Sequence, residues 1–140
     1  MHLLALDLQS PTAISCAVYG NFSAPKKQEI VVVKGGYIEL LRPDETGRLI
    51  SICTTAAFAT VRQVKPFRLI GSNCDYLIIT SDSGKISVAE FDAAVNEWRV
   101  VQCETYGRSG CRRVVVGQYL ATDPQGRAVM IGATEKSKLA

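Results

Sequence analysis

Residues 74–107 read CDYLIITSDSGKISVAEFDAAVNEWRVVQCETYG, and this stretch decides the fold. Three short apolar runs, Leu77–Ile79, Ile86–Ala89 and Trp98–Val101, are separated by polar breaks at Ser81–Gly84 and Asp92–Asn96. Runs rich in β-branched and aromatic residues between turn residues predict a β-meander. Asp82 is suited to bond its own backbone and Gly84 to take positive φ, so the first break predicts a tight turn joining antiparallel strands 76–80 and 85–91. The runs also differ in character. Leu77–Ile79 is apolar without alternation, as in a strand covered on both faces, whereas residues 97–102 (EWRVVQ) mix charge into the run. A sheet graded from dry inner strand to wetter outer strand is the pattern of a propeller blade.

The same pattern recurs upstream. Ile30, Gly36, Ile38 and Asp44 return 48 positions later as Ile78, Gly84, Ile86 and Asp92, with Val31 matching Ile79 and Leu40 matching Val88. A fixed period near fifty with strands and turns in phase predicts repeated blades. A weaker third unit starts at residues 128–131 (AVMI), with Leu139 following Ile131 as Ile38 follows Ile30. Blade-like units are expected at about 28–57, 61–106 and 114–140. Residues 13–19 have strand character, and the runs at 58–70 and 113–120 suit the innermost strands of the blades that follow. Helical periodicity is absent except for an ambiguous window at 56–64. The fold class expected is therefore all-β: the opening two to three blades of a WD40-like, seven-bladed β-propeller. Since a ring typically needs at least four blades, the chain is expected to be the truncated front of a longer protein, and to associate through open apolar edges when alone.

The composition narrows the function. At 140 residues with 47% hydrophobic and 21% charged content, the chain suits one globular domain. A formal net charge of +3 does not argue for an anionic partner. Residues 1–8 (MHLLALDL) lack the basic start and small-residue cleavage site of a signal peptide, and no run reaches membrane-spanning length. Cys16, Cys53, Cys74, Cys103 and Cys111 are odd in number and contain no CxxC, so they are read as small buried apolar residues of a reduced, intracellular protein.

Catalytic chemistry finds no support. The single histidine, His2, stands at the terminus, and neither KGG at 34–36 nor GRSG at 107–110 has phosphate-loop spacing. Asp75, Asp82, Glu90 and Asp92 read as solvated turn formers. No catalytic, cofactor-binding or metal residues are expected. Arg108, Arg112 and Arg113 are the densest charge. They suit either a partner-contact loop for carboxylate or phosphate groups or, the preferred reading, a solvated inter-blade loop. Without interleaved aromatics they fall short of a nucleic-acid footprint, so any contact is expected with an acidic protein patch.

PTAIS at 11–15, GNFS at 20–23, ELLRPD at 39–44, SDSG at 81–84 and GRSGCRRVVVGQYLATDPQGRAVMI at 107–131 carry a resemblance. It extends over essentially the whole chain. The sequence resembles the family of large triple-propeller subunits of splicing factor 3b, DNA-damage-binding and cleavage/polyadenylation assemblies. The SGCRR and DPQGRAVMI blocks and residues 135–139 (EKSKL) favour the splicing branch. The resemblance implies a nuclear, non-catalytic scaffold of the splicing factor 3b complex in the U2 small nuclear ribonucleoprotein, acting in branch-site recognition. It implies a helical-repeat scaffold subunit and a small subunit as partners, with RNA reached only through the complex. Membranes, small-molecule substrates and cofactors are not implied. The alternative within the family is an adaptor of a DNA-damage-binding ubiquitin ligase or a polyadenylation factor subunit.

Overall fold

The computed structural model describes residues 2–6, 8–105, 119–132 and 138–139. These form three antiparallel sheets and no helix. The first contains β1 (Cys16–Gly20), β2 (Glu29–Lys34), β3 (Tyr37–Pro43) and β4 (Leu49–Ala56) in that order. It therefore takes in the 13–19 run as well as the expected 28–57 unit. The second contains β5 (Val61–Phe67), β6 (Tyr76–Ser81), β7 (Lys85–Asp92) and β8 (Glu97–Thr105), and the third β9 (Leu120–Thr122), β10 (Val129–Gly132) and β11 (Lys138–Leu139). Their first strands are neighbours: β1 lies against β5, and β5 against β9. Successive meanders packed at their first strands are propeller-like blades in an open arrangement.

The turn expected at Ser81–Gly84 is present. Ser81 C=O accepts from Gly84 N–H at 3.1 Å, and Gly84 has φ 77°, where L side chains are strained. β6 pairs with β7 on either side of it.

The repeat is real but its register differs from the sequence match. The β3–β4 ladder shifts between Leu40 and Leu41, and the β7–β8 ladder shifts between Val88 and Ala89, 48 positions later. For the preceding strands the offset is 47. Val31 pairs with Leu40, and Ile78, not Ile79, pairs with Val88. The physical reason is turn length. Lys34 and Tyr37 pair across two glycines, whereas the second hairpin turns through Asp82-Ser83-Gly84. One extra residue slips the strand by one and exchanges its faces.

Val31, Val33, Ile38 and Leu40 of the first sheet meet Val61, Val64, Leu77 and Phe91 of the second in a buried core that Phe22 completes. On the opposite face of β6, Ile78 joins Ile86, Leu120 and Ile131 in a second core. Leu77 and Ile78 thus serve different interfaces, which is why the β6 run is apolar without alternation. The window at 56–64 is not helical. Val61 pairs with Ser81 and Gln63 with Thr80, leaving Arg62 as an extra residue. This bulge brings Val61 and Val64, three apart, into the same core and so mimics helical spacing.

Two turn carboxylates tie stability to pH. Asp44 accepts from the hydroxyl of Thr46 and from backbone N–H of Thr46 and Arg48, and these bonds hold it below the usual carboxylate range. Asp123 is lowered by the Gln125 N–H and then by Arg127. A lowered folded pKa contributes stability above the unfolded value, and that contribution disappears as pH falls through the folded value. Thermal midpoints are therefore expected to drop from pH 7 towards pH 3, and Asp44→Asn should show a smaller drop. An unchanged acid loss in Asp44→Asn would contradict this.

Candidate partner-binding surface

The loops after β1, β5 and β9 gather at one end of the sheets, joined by polar contacts and close backbone packing. Asn21 N–H donates to Asp75 Oδ2 at 2.8 Å, and Asp75 N–H donates to Asn21 C=O at 2.7 Å. Arg68 completes the link, donating to Asp75 Oδ1 at 2.8 Å and to Asn21 Oδ1 at 3.0 Å. A Cβ on Gly20 would lie 2.8 Å from Asp75 Oδ2, so glycine permits the approach. Asp75 is only 13% exposed, and burial pushes the thiol of neighbouring Cys74 up. Beneath this link Glu29 is fully buried. It accepts from Phe22 N–H, Ser23 N–H and Ser23 Oγ, and Arg42 lies 3.0 Å from its other oxygen. Trp98 stands edge-on to both Phe22 and Phe91, joining the first loop to the second sheet through aromatic contacts.

The outer rim of this end mixes basic and apolar groups. Lys26, Lys27, Arg68 and Arg127 are exposed, as are Leu69 and Ile70. Leu69 and Arg127 also line a cleft of about 520 Å³ between the second and third sheets, with Phe67, Ile86, Val88 and Val129 in its wall. At the opposite end Arg62 chelates Asp82, and Phe58 projects 97% exposed with φ 57°. A bulky residue held at positive φ is strained by roughly 1–2 kcal/mol. Phe58→Gly loses no burial and relieves that strain, so its thermal midpoint is expected to stay within a few degrees of the parent. A large drop would show that Phe58 packs where the structure leaves it open.

Arg108, Arg112 and Arg113 lie outside the described residues, as does Cys111. The carboxylates divide into different roles. Asp92 forms its turn, accepting from Ala94 N–H at 2.9 Å. Asp75, Asp82 and Glu90 instead pair with Arg68, Arg62 and Arg99. The turn-former reading is incomplete for these three: Arg62 and Arg99 reach Asp82 and Glu90 from neighbouring strands, while Arg68 reaches Asp75 across their shared loop. Cys16, Cys53 and Cys74 are half-buried, but Cys103 is exposed, because β8 is the outermost strand of its sheet. Among the described residues no three His, Cys, Asp or Glu side chains gather to hold a metal ion. Glu29 and Arg42 escaped the sequence reading altogether. Only the apolar run beside Glu29 hinted that its carboxylate is buried.

The geometry is that of a surface built by successive blades, and the comparison with known families agrees. The description of the RSE1/DDB1/CPSF1 first β-propeller matches residues 13–140. The chain belongs to that family. Among members of the RSE1/DDB1/CPSF1 propeller family, it is similar to spliceosome-associated protein 130 A of Arabidopsis thaliana, 50% identical over 139 residues. It is 51% identical over 140 residues to splicing factor 3B subunit 3 of Danio rerio, and 49% identical over 140 residues to pre-mRNA-splicing factor RSE1 of Mycosarcoma maydis. These alignments take in 99% of this chain and 11–12% of each relative. The chain therefore spans about an eighth of the length of these relatives.

Proposed function

We propose that this chain forms the opening blades of the first propeller of a longer, non-catalytic scaffold of the splicing factor 3b complex in the U2 small nuclear ribonucleoprotein. The observation that carries the reading is identity near 50% across 99% of the chain to a plant protein named as spliceosome-associated and to proteins named as splicing factors in an animal and a fungus. The basic and apolar rim, and an end with exposed Phe58, suit protein contacts. A helical-repeat scaffold subunit and a small subunit are the expected partners, the setting is the nucleus, and RNA is reached through the assembly. Arg108, Arg112 and Arg113 are proposed as a contact loop for an acidic patch on a partner.

The test is tagging at the native locus, followed by capture from nuclear extract. Enrichment of U2 small nuclear RNA and splicing factor 3b subunits by roughly tenfold or more over an untagged control is expected. Capture of ubiquitin-ligase or polyadenylation subunits without U2 RNA would replace this reading with the other branches of the family. Alanine at all three arginines should weaken capture of one partner while leaving the thermal midpoint unchanged.

A further inference from the structure

The chain crosses from the first sheet to the second at one end only. Residues 57–60 run from β4 to β5 at the end opposite the Asn21–Asp75 link, and backbone bonds brace them. Ala57 N–H donates to Gly36 C=O at 2.7 Å, and Asp82 N–H donates to Thr60 C=O at 2.9 Å. At the Asn21 end the blades meet through their loops, and among the described residues Arg68 is where three of those loops come together. Its Nε donates to Asp75 Oδ1 at 2.8 Å and its Nη2 to Asn21 Oδ1 at 3.0 Å. Its carbonyl oxygen lies so close to Gly126 that a Cβ there would come within 1.9 Å. One residue thus holds the first blade by its side chain and meets the third by its backbone. Beside it a cavity of about 190 Å³ lies between Phe22 of the first blade and Phe91 of the second, with Cys74 and Asp75 in its wall. The Arg68 side chain is 46% exposed, so water competes for its bonds, whereas the peptide connection at the opposite end cannot open.

We propose that Arg68 is a releasable clasp between the blades. When its guanidinium leaves Asp75 and Asn21, the three loops part at this end, the sheets hinge about residues 57–60, and the cavity beside Cys74 opens to solvent. The guanidinium also orients the Asp75 carboxylate, whose Oδ2 accepts from Asn21 N–H at 2.8 Å, so its departure weakens that bond as well. The planar fork is what spans the two acceptors, one on each blade; a lysine ammonium has no such fixed pair of donors. The clasp is ionic and partly exposed, so its closed population falls as salt rises.

Thiol labelling of the full-length polypeptide in its complex, read peptide by peptide in a mass spectrometer, tests this directly. Cys74 in Arg68→Met is expected to react at least roughly tenfold faster than in the parent, the factor set by losing charge-assisted hydrogen bonds. Cys103 on β8 is the internal reference and should keep its rate. Arg68→Lys should recover less than half of the difference, because it keeps the charge without the fork. Raising salt from about 0.05 M to about 1 M should speed Cys74 labelling in the parent and leave Arg68→Met unchanged. Hydrogen exchange of Arg68→Met should quicken at residues 21–23 and 126–128 while residues 57–60, β2 and β6 keep their protection. Parent-like labelling of Cys74 in Arg68→Met, full recovery in Arg68→Lys or the same salt response in both proteins would overturn the proposal. So would exchange that quickens at residues 68–75 alone or evenly along the chain.

Discussion

Glu29→Ala is expected to lower the unfolding free energy by about 3–5 kcal/mol, the usual cost of removing one partner of a buried ion pair. Glu29 is fully buried, and its loss would leave the amides of Phe22 and Ser23 and the Ser23 hydroxyl without their acceptor. Arg42, whose side chain is 30% exposed, would retain partial hydration, which places the effect at the lower end of that range. Phe22 sits in the core between the first two sheets, so disorder in its loop would reach Trp98 as well. Glu29→Gln keeps an acceptor and the volume, and should cost less than half as much. Chemical denaturation of the three proteins side by side decides the matter. A loss under about 1 kcal/mol for the alanine variant would mean that water replaces the carboxylate and the site is not closed.

Gly126→Ala is expected to act at a different place and with similar force. Gly126 has φ 72°, and a Cβ there would lie 1.9 Å from the carbonyl oxygen of Arg68. The positive φ contributes roughly 1–2 kcal/mol and the overlap with backbone about 1–3 kcal/mol more. Because the clash lies between the turn of the third sheet and the loop of the second, the damage should be local. Amides of β9 and β10 should exchange faster while those of β2 and β3 keep their protection. Gly47→Ala supplies the comparison, since Gly47 has φ 85° but nothing within 4 Å of an added Cβ. It should carry the conformational cost alone. Equal effects in the two variants would show that the third sheet does not rest on Arg68.

The two variants also mark where sequence reading stops. Alternating apolar runs and polar breaks were enough to place β2, β3, β6 and β7 and the turn at Gly84, because strand pairing over short loops is a local property. The 48-residue recurrence likewise exposed the blade repeat, and the third strands of the first two blades keep that spacing down to their ladder shifts. The β5 bulge lay beyond local reading. A single extra residue, Arg62, gave Val61 and Val64 the spacing of a helix, and only pairing with β6 shows which face they share.

The polar contacts belong wholly to tertiary structure. Asp75 lies 54 residues from Asn21, and Arg68 lies 47 from it, so neither partner can be read from its neighbours in sequence. A carboxylate in a turn looks solvated until folding brings up the arginine it faces or, for Asp75, the Asn21 amide of the first blade. Cys103 shows the converse, since an apolar residue type says nothing of whether its strand ends up outermost in the sheet. Sequence by itself determined β2, β3, β6 and β7, the repeat and the family, all of which follow from short-range pattern or from similarity along the chain. Tertiary structure alone decided the one-residue register, the buried Glu29–Arg42 pair and the polar link between blades, because each depends on which distant strands come to lie side by side.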